Sequence, residues 1–190
     1  DRLRIAFNTR SPIDTDVHPE CIRAVEQTVS LLEKLGHEVE EARPEVDGQA
    51  LARGLLILYS AEVTAIFDAL APLLGRKVKP SDVETVTWTL GLLGRTYSAG
   101  QIVKANREWE LAGRIMGRFH ETYDLYLTPT LAYPPVKIGE LALKPIERVL
   151  LKVINSLRLG RLLIASGVTD KLAVDNLSKT PFTQLANFTG

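Results

Sequence analysis

Acyl-transfer chemistry needs a nucleophile, a base and an oxyanion cradle within reach of one another. This sequence contains suitable residue types, but their spacing assembles no such set. The histidines are His18, His37 and His120, and the single cysteine is Cys21. No two histidines sit at ligand spacing, so no metal site is read from them. Cys21 follows His18 closely, in the first turn of an expected helix, a position where thiols gain reactivity. A Cys–His pair is one reading, and a small apolar residue beside a helix face is the other. His37 follows a helix-ending glycine and His120 closes a long helix, both places where a cation is favoured by the helix dipole. The Gly-x-Ser-x-Gly elbow is absent, and its nearest echo, Ser166-Gly167, reads as a helix-ending turn. Gly91-Leu92-Leu93-Gly94 lacks the Lys-Ser or Lys-Thr of a phosphate loop. Asp14 and Asp16 form a close carboxylate pair and are expected to cap the following helix.

Other segments must position whatever chemistry exists. Leu3 to Phe7 reads as a strand. Pro19 fits a first helical turn, with His18 extended before it. Ile22, Val25, Val29 and Leu32 then recur at spacings of three and four, one apolar face of a helix. Gly36 stops that helix, and Glu38-Val39-Glu40 reads as a second strand. Strand, helix and strand with short links predict a right-handed parallel unit. Ala50 to Leu74 reads as a helix with broad apolar coverage, and burial is expected. Pro80-Ser81-Asp82 offers a cap for a helix over Val83 to Leu93. Ser98 is the expected N-cap of the strongest helix, with Ile102, Ala105, Trp109, Ala112, Met116 and Phe119 along one face. Leu125 to Thr128 reads as a third strand, stopped by Pro129. Ile146, Leu150, Val153 and Leu157 suggest a further helix, and Thr180 to Gly190 the start of a new buried element.

With 190 residues, 45% hydrophobic and 24% charged, the chain can bury a core. Lys plus Arg, at 23, balances Asp plus Glu, at 23, which gives no electrostatic reason to expect nucleic acid or a membrane surface. Arg53, Glu62 and Asp68 interrupt the most apolar stretch and make it a poor membrane span. One cysteine builds no internal disulfide, which suits a cytoplasmic protein. The chain opens at Asp1, and its one methionine is the internal Met116, so it is expected to be a piece of something longer. Lack of a signal peptide then says little.

Several segments in order resemble the amidase-signature family. Leu3-Arg4-Ile5-Ala6-Phe7 with Ser11-Pro12 and Pro19-Glu20-Cys21 looks like the strand and loop after that family's signature region. Leu32-Glu33-Lys34-Leu35-Gly36-His37-Glu38-Val39 looks like its next helix and strand. Tyr123-Asp124, an apolar run and Thr128-Pro129-Thr130 lead to a proline-rich loop ending at Ile138-Gly139, as is common in the family. Thr180-Pro181-Phe182-Thr183 and Asn187-Phe188-Thr189-Gly190 resemble the segment before its last strands. The likeness is nearest to bacterial amidases and 6-aminohexanoate-cyclic-dimer hydrolases.

The resemblance implies an α/β fold, helix-rich with a small mixed, mostly parallel sheet, part of a larger amidase-signature fold. It implies a single domain over residues 1–190, with the signature core elsewhere. Family members cleave amide bonds with a Ser-Ser-Lys triad, in which nucleophile and base must be in hydrogen-bond reach. No serine here has the required Gly-Ser context, so no catalytic residue is carried over. Thr128, Thr130 and Tyr133 are the expected substrate-lining residues, because they stand where a strand gives way to a loop. The expected partner is a small amide substrate, with no metal, cofactor, nucleic acid or membrane, and self-association through an exposed sheet edge is expected. The rival is a non-catalytic interaction domain docking through the helix face around Trp109, and a third reading is a thiol enzyme built on Cys21.

Overall fold

The computed structural model describes residues 2–140 and 177–189, together with Ala142, Val149, Leu151, Val153, Asn155, Val174 and Asp175. The helix expected around Ile146 to Leu157, and Ser166-Gly167, fall largely or wholly outside them. The elements are β1 (Arg4–Phe7), α1 (Pro19–Lys34), β2 (Glu38–Glu41), α2 (Gly48–Leu74), α3 (Thr85–Gly94), α4 (Ala99–Phe119), β3 (Leu125–Leu127) and α5 (Thr183–Thr189). Packing divides the chain into two compact units. One comprises residues 1–51, 108–137 and 174–190, and the other residues 52–107 and 138–173.

The first unit is built on a three-stranded sheet of order β2-β1-β3. Ile5 stands opposite Val39 on one side and Leu125 on the other, and both ladders are parallel. Among the described residues both pairings in this sheet are parallel, in keeping with the small, mostly parallel sheet expected. The middle strand is the most buried, with Ile5 2% and Ala6 0% exposed.

Helix α1 follows its sequence pattern. Val25 is buried, with Ile22, Val29 and Leu32 half-buried beside it. The helix opens on Pro19, but its N-cap is His18, whose Nδ1 accepts from the Glu20 amide at 3.2 Å. Asp14 and Asp16 do not cap it, because the extended His18 already places a ring nitrogen over the first free amide. Asp14 instead takes a left-handed turn conformation, φ 57°. The helix ends through Gly36 at φ 90°, with His37 N donating to Leu32 O at 3.1 Å and Gly36 N to Glu33 O at 2.9 Å. This double closure satisfies the last carbonyls and needs the left-handed glycine. His37 Nδ1 then accepts from the Leu3 amide at 3.2 Å, which ties the start of β1 to β2.

Tyr123 and Asp124 fix the entry of β3. The Asp124 carboxylate accepts from Arg4 N at 2.7 Å, while Asp124 N donates to Arg4 O at 2.8 Å. The Glu40 carboxylate of β2 lies close enough to the Tyr123 phenol to raise its pKa. One dipeptide therefore grips both other strands. Tyr126 is half-buried in β3, and desolvation pushes its phenol up to about 12 against an opposing pull from Arg43. A neutral phenol is favoured in the folded chain, so its stabilising effect is complete below pH 10. It drains away as pH rises from 10 to about 12. Alkaline absorbance titration should show one of the 5 tyrosines ionising near 12, with Tyr126→Phe removing that step. A full complement ionising near 10 would refute burial of this ring.

The second unit holds most of α2 together with α3. Thr64 Oγ1 donates both to Gly91 O at 2.8 Å and to Ser60 O at 3.1 Å, stitching one helix to the other. Gly94 sits against the Ser60 backbone with no room for a side chain. α4 begins at a reciprocal cap: Ser98 Oγ accepts from Gln101 N at 3.2 Å and Gln101 Oε1 from Ser98 N at 2.8 Å. The sequence led us to expect α2 to be well buried. Val63 and Phe67 are buried, yet Tyr59, Ile66, Leu70, Leu73 and Leu74 are exposed. The inward side is the one that meets α3 closely, so the remaining apolar circumference stays open. By length and composition α2 could cross a membrane, since an 18-residue stretch of mean hydropathy 1.6 holds no more than 2 charges and is 22% buried. The interrupting charges are therefore a weaker bar to a span than expected, although core helices of soluble proteins pass the same test.

Candidate functional site

β1 runs through α1 to β2 on one side, while β3 pairs on the other. That reversal makes the carboxyl ends of β1 and β3 a topological switch point, the place where open α/β sheets generally bind ligands. Three segments of the first unit meet there: the loop after Phe7, the loop after Leu127, and the turn before α5.

Each is fastened by the backbone. Asn8 N extends the ladder to Leu127 O at 3.1 Å. Asn8 is 4% exposed, and its Oδ1 accepts from Arg10 N at 2.8 Å, turning the chain away from the sheet. Ser11, also buried, shares a 2.8 Å hydrogen bond with Thr15 Oγ1. His18 N donates to Ala132 O at 2.7 Å and Ala132 N to Lys179 O at 2.9 Å, so Ala132 joins the other two segments. Over this seam the Lys179 ammonium stands 4.1 Å from the Tyr133 ring centroid. The His18 ring lies 6.3 Å from the same ring at a tilt of 53°. A cation over a tyrosine face is held by the ring's quadrupole and by the apolar stem beneath it.

Of the expected lining residues, Tyr133 is half-buried at the centre of this cluster, Thr128 is half-buried at the end of β3, and Thr130 is exposed on the loop. Tyr133 therefore joins His18 and Lys179, whereas neither threonine side chain makes a hydrogen bond among the described residues. Asn8, Ser11 and Lys179 were not anticipated. Asn8 and Ser11 could have been found by asking which residues follow a central strand, but Lys179 arrives from a distant segment with no local signal.

The cluster can bind and orient, but among the described residues it contains no assembled nucleophile and base. The Ser11 hydroxyl partners Thr15, and His18 Nδ1 is occupied by the helix cap. Cys21 is a free, half-buried thiol on α1. No group of His, Cys, Asp or Glu suited to a metal ion occurs among the described residues.

The Amidase family model matches residues 1–171. The chain belongs to the Amidase family. A lipoamidase of Enterococcus faecalis is 30% identical over 98% of the chain, which spans 25% of that protein. A 6-aminohexanoate-cyclic-dimer hydrolase of Pseudomonas sp. (strain NK87) is 28% identical over 74% of the chain, spanning 29% of its length. Among solved structures, a 6-aminohexanoate cyclic dimer hydrolase complexed with substrate aligns with 75% of the chain and 30% of its own, with TM-score 0.67 at 24% identity. A bacterial aryl acylamidase of the amidase-signature enzymes aligns with 72% of the chain and 28% of its own, with TM-score 0.62 at 18% identity. These two likenesses bear on the fold, and they agree with the helix-rich α/β architecture. The chain thus spans between a quarter and a third of the length of the relatives named here.

Proposed function

We propose that this chain is the part of an amide-bond hydrolase that lies beyond its signature core. In this reading it shapes the substrate site and supplies neither the nucleophile nor the base. The observation that carries it is the pairing of a family match over residues 1–171 with a switch-point cluster that holds no nucleophile–base pair among the described residues. Thr128, Thr130 and Tyr133 line the substrate site of the intact enzyme, with Tyr133 held by His18 and Lys179. The substrate is a small molecule containing an amide, in keeping with the relatives' names, and a cytoplasmic location accords with the single cysteine. The outer edges of β2 and β3, unpaired among the described residues, favour self-association of the chain on its own.

A serine-directed fluorophosphonate probe and an aryl-amide assay test this reading. The 190-residue chain should be neither labelled nor active, whereas the intact parent should be both. Turnover by the chain alone would overturn it.

The contacts of Trp109 favour this reading over the rival interaction domain. Trp109 Nε1 donates to Phe188 O, and the two rings meet edge to face at 4.7 Å and 74°. Within the first unit that surface is covered by α5.

A further inference from the structure

The second unit contains a cavity of about 680 Å³ between the carboxyl-terminal half of α2, the turn around Lys77 and α3. Its size is that of a small-molecule site. The apolar wall is aromatic: Phe67 and Trp88 stack with centroids 5.8 Å apart and an interplanar angle of 25°. Gly91 makes this possible, since a side chain there would collide with the Phe67 ring. The polar wall carries Asp68, Arg95 and Lys77. Arg95 Nη2 holds Asp68 Oδ1 at 2.5 Å, which leaves the Lys77 ammonium as the uncompensated charge among the described lining residues. The neighbouring Arg76 does not alter this balance, because it is spent on Asp82 through contacts of 2.6 and 3.1 Å. That pair lies just outside and holds the Asp82 carboxyl down to about 2.

We infer that this cavity binds a small carboxylate with a flat or chain-like apolar body. The body lies against the Trp88 face, and the carboxylate lies toward Lys77 and the free edge of the Arg95 guanidinium. An amine would meet described lining residues whose summed charge is positive, and a neutral ligand would leave Lys77 without a counter-charge. The inference does not depend on amide hydrolysis, so a binding result stands apart from any test of turnover.

The probe is 3-phenylpropionate, followed through the Trp88 indole N–H resonance of the whole ¹⁵N-labelled chain, assigned with Trp88→Phe. A saturable shift is expected, with a Kd of about 1 mM, while the Trp109 resonance stays in place. Replacing the acid by neutral 3-phenylpropionamide should weaken binding about fivefold, and Lys77→Gln should weaken acid binding by a similar factor. Lys77 is exposed, so that variant keeps its fold, and an unchanged amide spectrum verifies it. No saturable Trp88 shift up to about 20 mM would overturn the inference. So would equal affinity for acid and amide, or a Lys77→Gln chain that binds the acid as tightly as the parent sequence does.

Discussion

Ile5→Ala should lower the unfolding free energy by about 4 kcal/mol, toward the upper end for removing a buried isoleucine side chain. Ile5 sits in the middle strand, 2% exposed, with Val39 and Leu125 as its neighbours across the two ladders. A cavity there has strands on both sides and cannot collapse without pulling one of them out of register. Domains of this size are stable by only about 5–15 kcal/mol, so the variant could approach half-unfolding near room temperature. Urea denaturation followed by circular dichroism measures it, as a lower midpoint at unchanged slope. Leu125→Ala is the control, because Leu125 is 50% exposed and should cost about 1 kcal/mol or less. Equal losses from the two substitutions would show that β1 is not the packed centre of the sheet.

Gly94→Ala should cost about 3 kcal/mol, here through the opposite error of too much volume. The added methyl would fall within the van der Waals boundary of the Ser60 carbonyl and of Thr64 Oγ1. The first of these is helix backbone, so a rotamer change cannot relieve it. α3 must move away from α2, and the hydrogen bond from Thr64 to Gly91 O must lengthen. Hydrogen exchange would report this locally, with protection lost in α2 and α3 before it is lost in β1. Protection that falls equally in both units, or does not fall at all, would mean that the close approach at Gly94 is not what holds these helices together.

Much of this architecture could be read from the chain because its signals are local. The spacing of Ile22, Val25, Val29 and Leu32 defines α1, Gly36 ends it, and Ser98 with Gln101 starts α4. Each depends on residues within one or two helical turns. The strand before Thr128-Pro129-Thr130 is short, but Tyr123 and Asp124 mark its beginning and Pro129 its end. What escaped the sequence depends on distant partners. Whether an apolar helix side is covered is decided by other segments, so α2 was expected to be well buried and instead leaves Tyr59, Ile66, Leu70, Leu73 and Leu74 exposed. The same limit applies to His18, whose capping role excludes Asp14 and Asp16 only once the loop's path is known. Lys179 enters the candidate site from the far end of the chain, and no spacing near it announces Tyr133.

The Asp124 grip on Arg4 spans 120 positions of sequence, whereas the Leu3–His37 tie spans 34. Loop-closure entropy rises with span, so β1 and β2 can pair early and β3 must come late. On a ribosome the difference grows, since the N-terminal segments emerge first. For the time needed to synthesise everything between them, β1 carries an unclaimed row of amides and carbonyls along the side that Leu125 to Leu127 will fill. During that interval any other extended segment can compete for the same place.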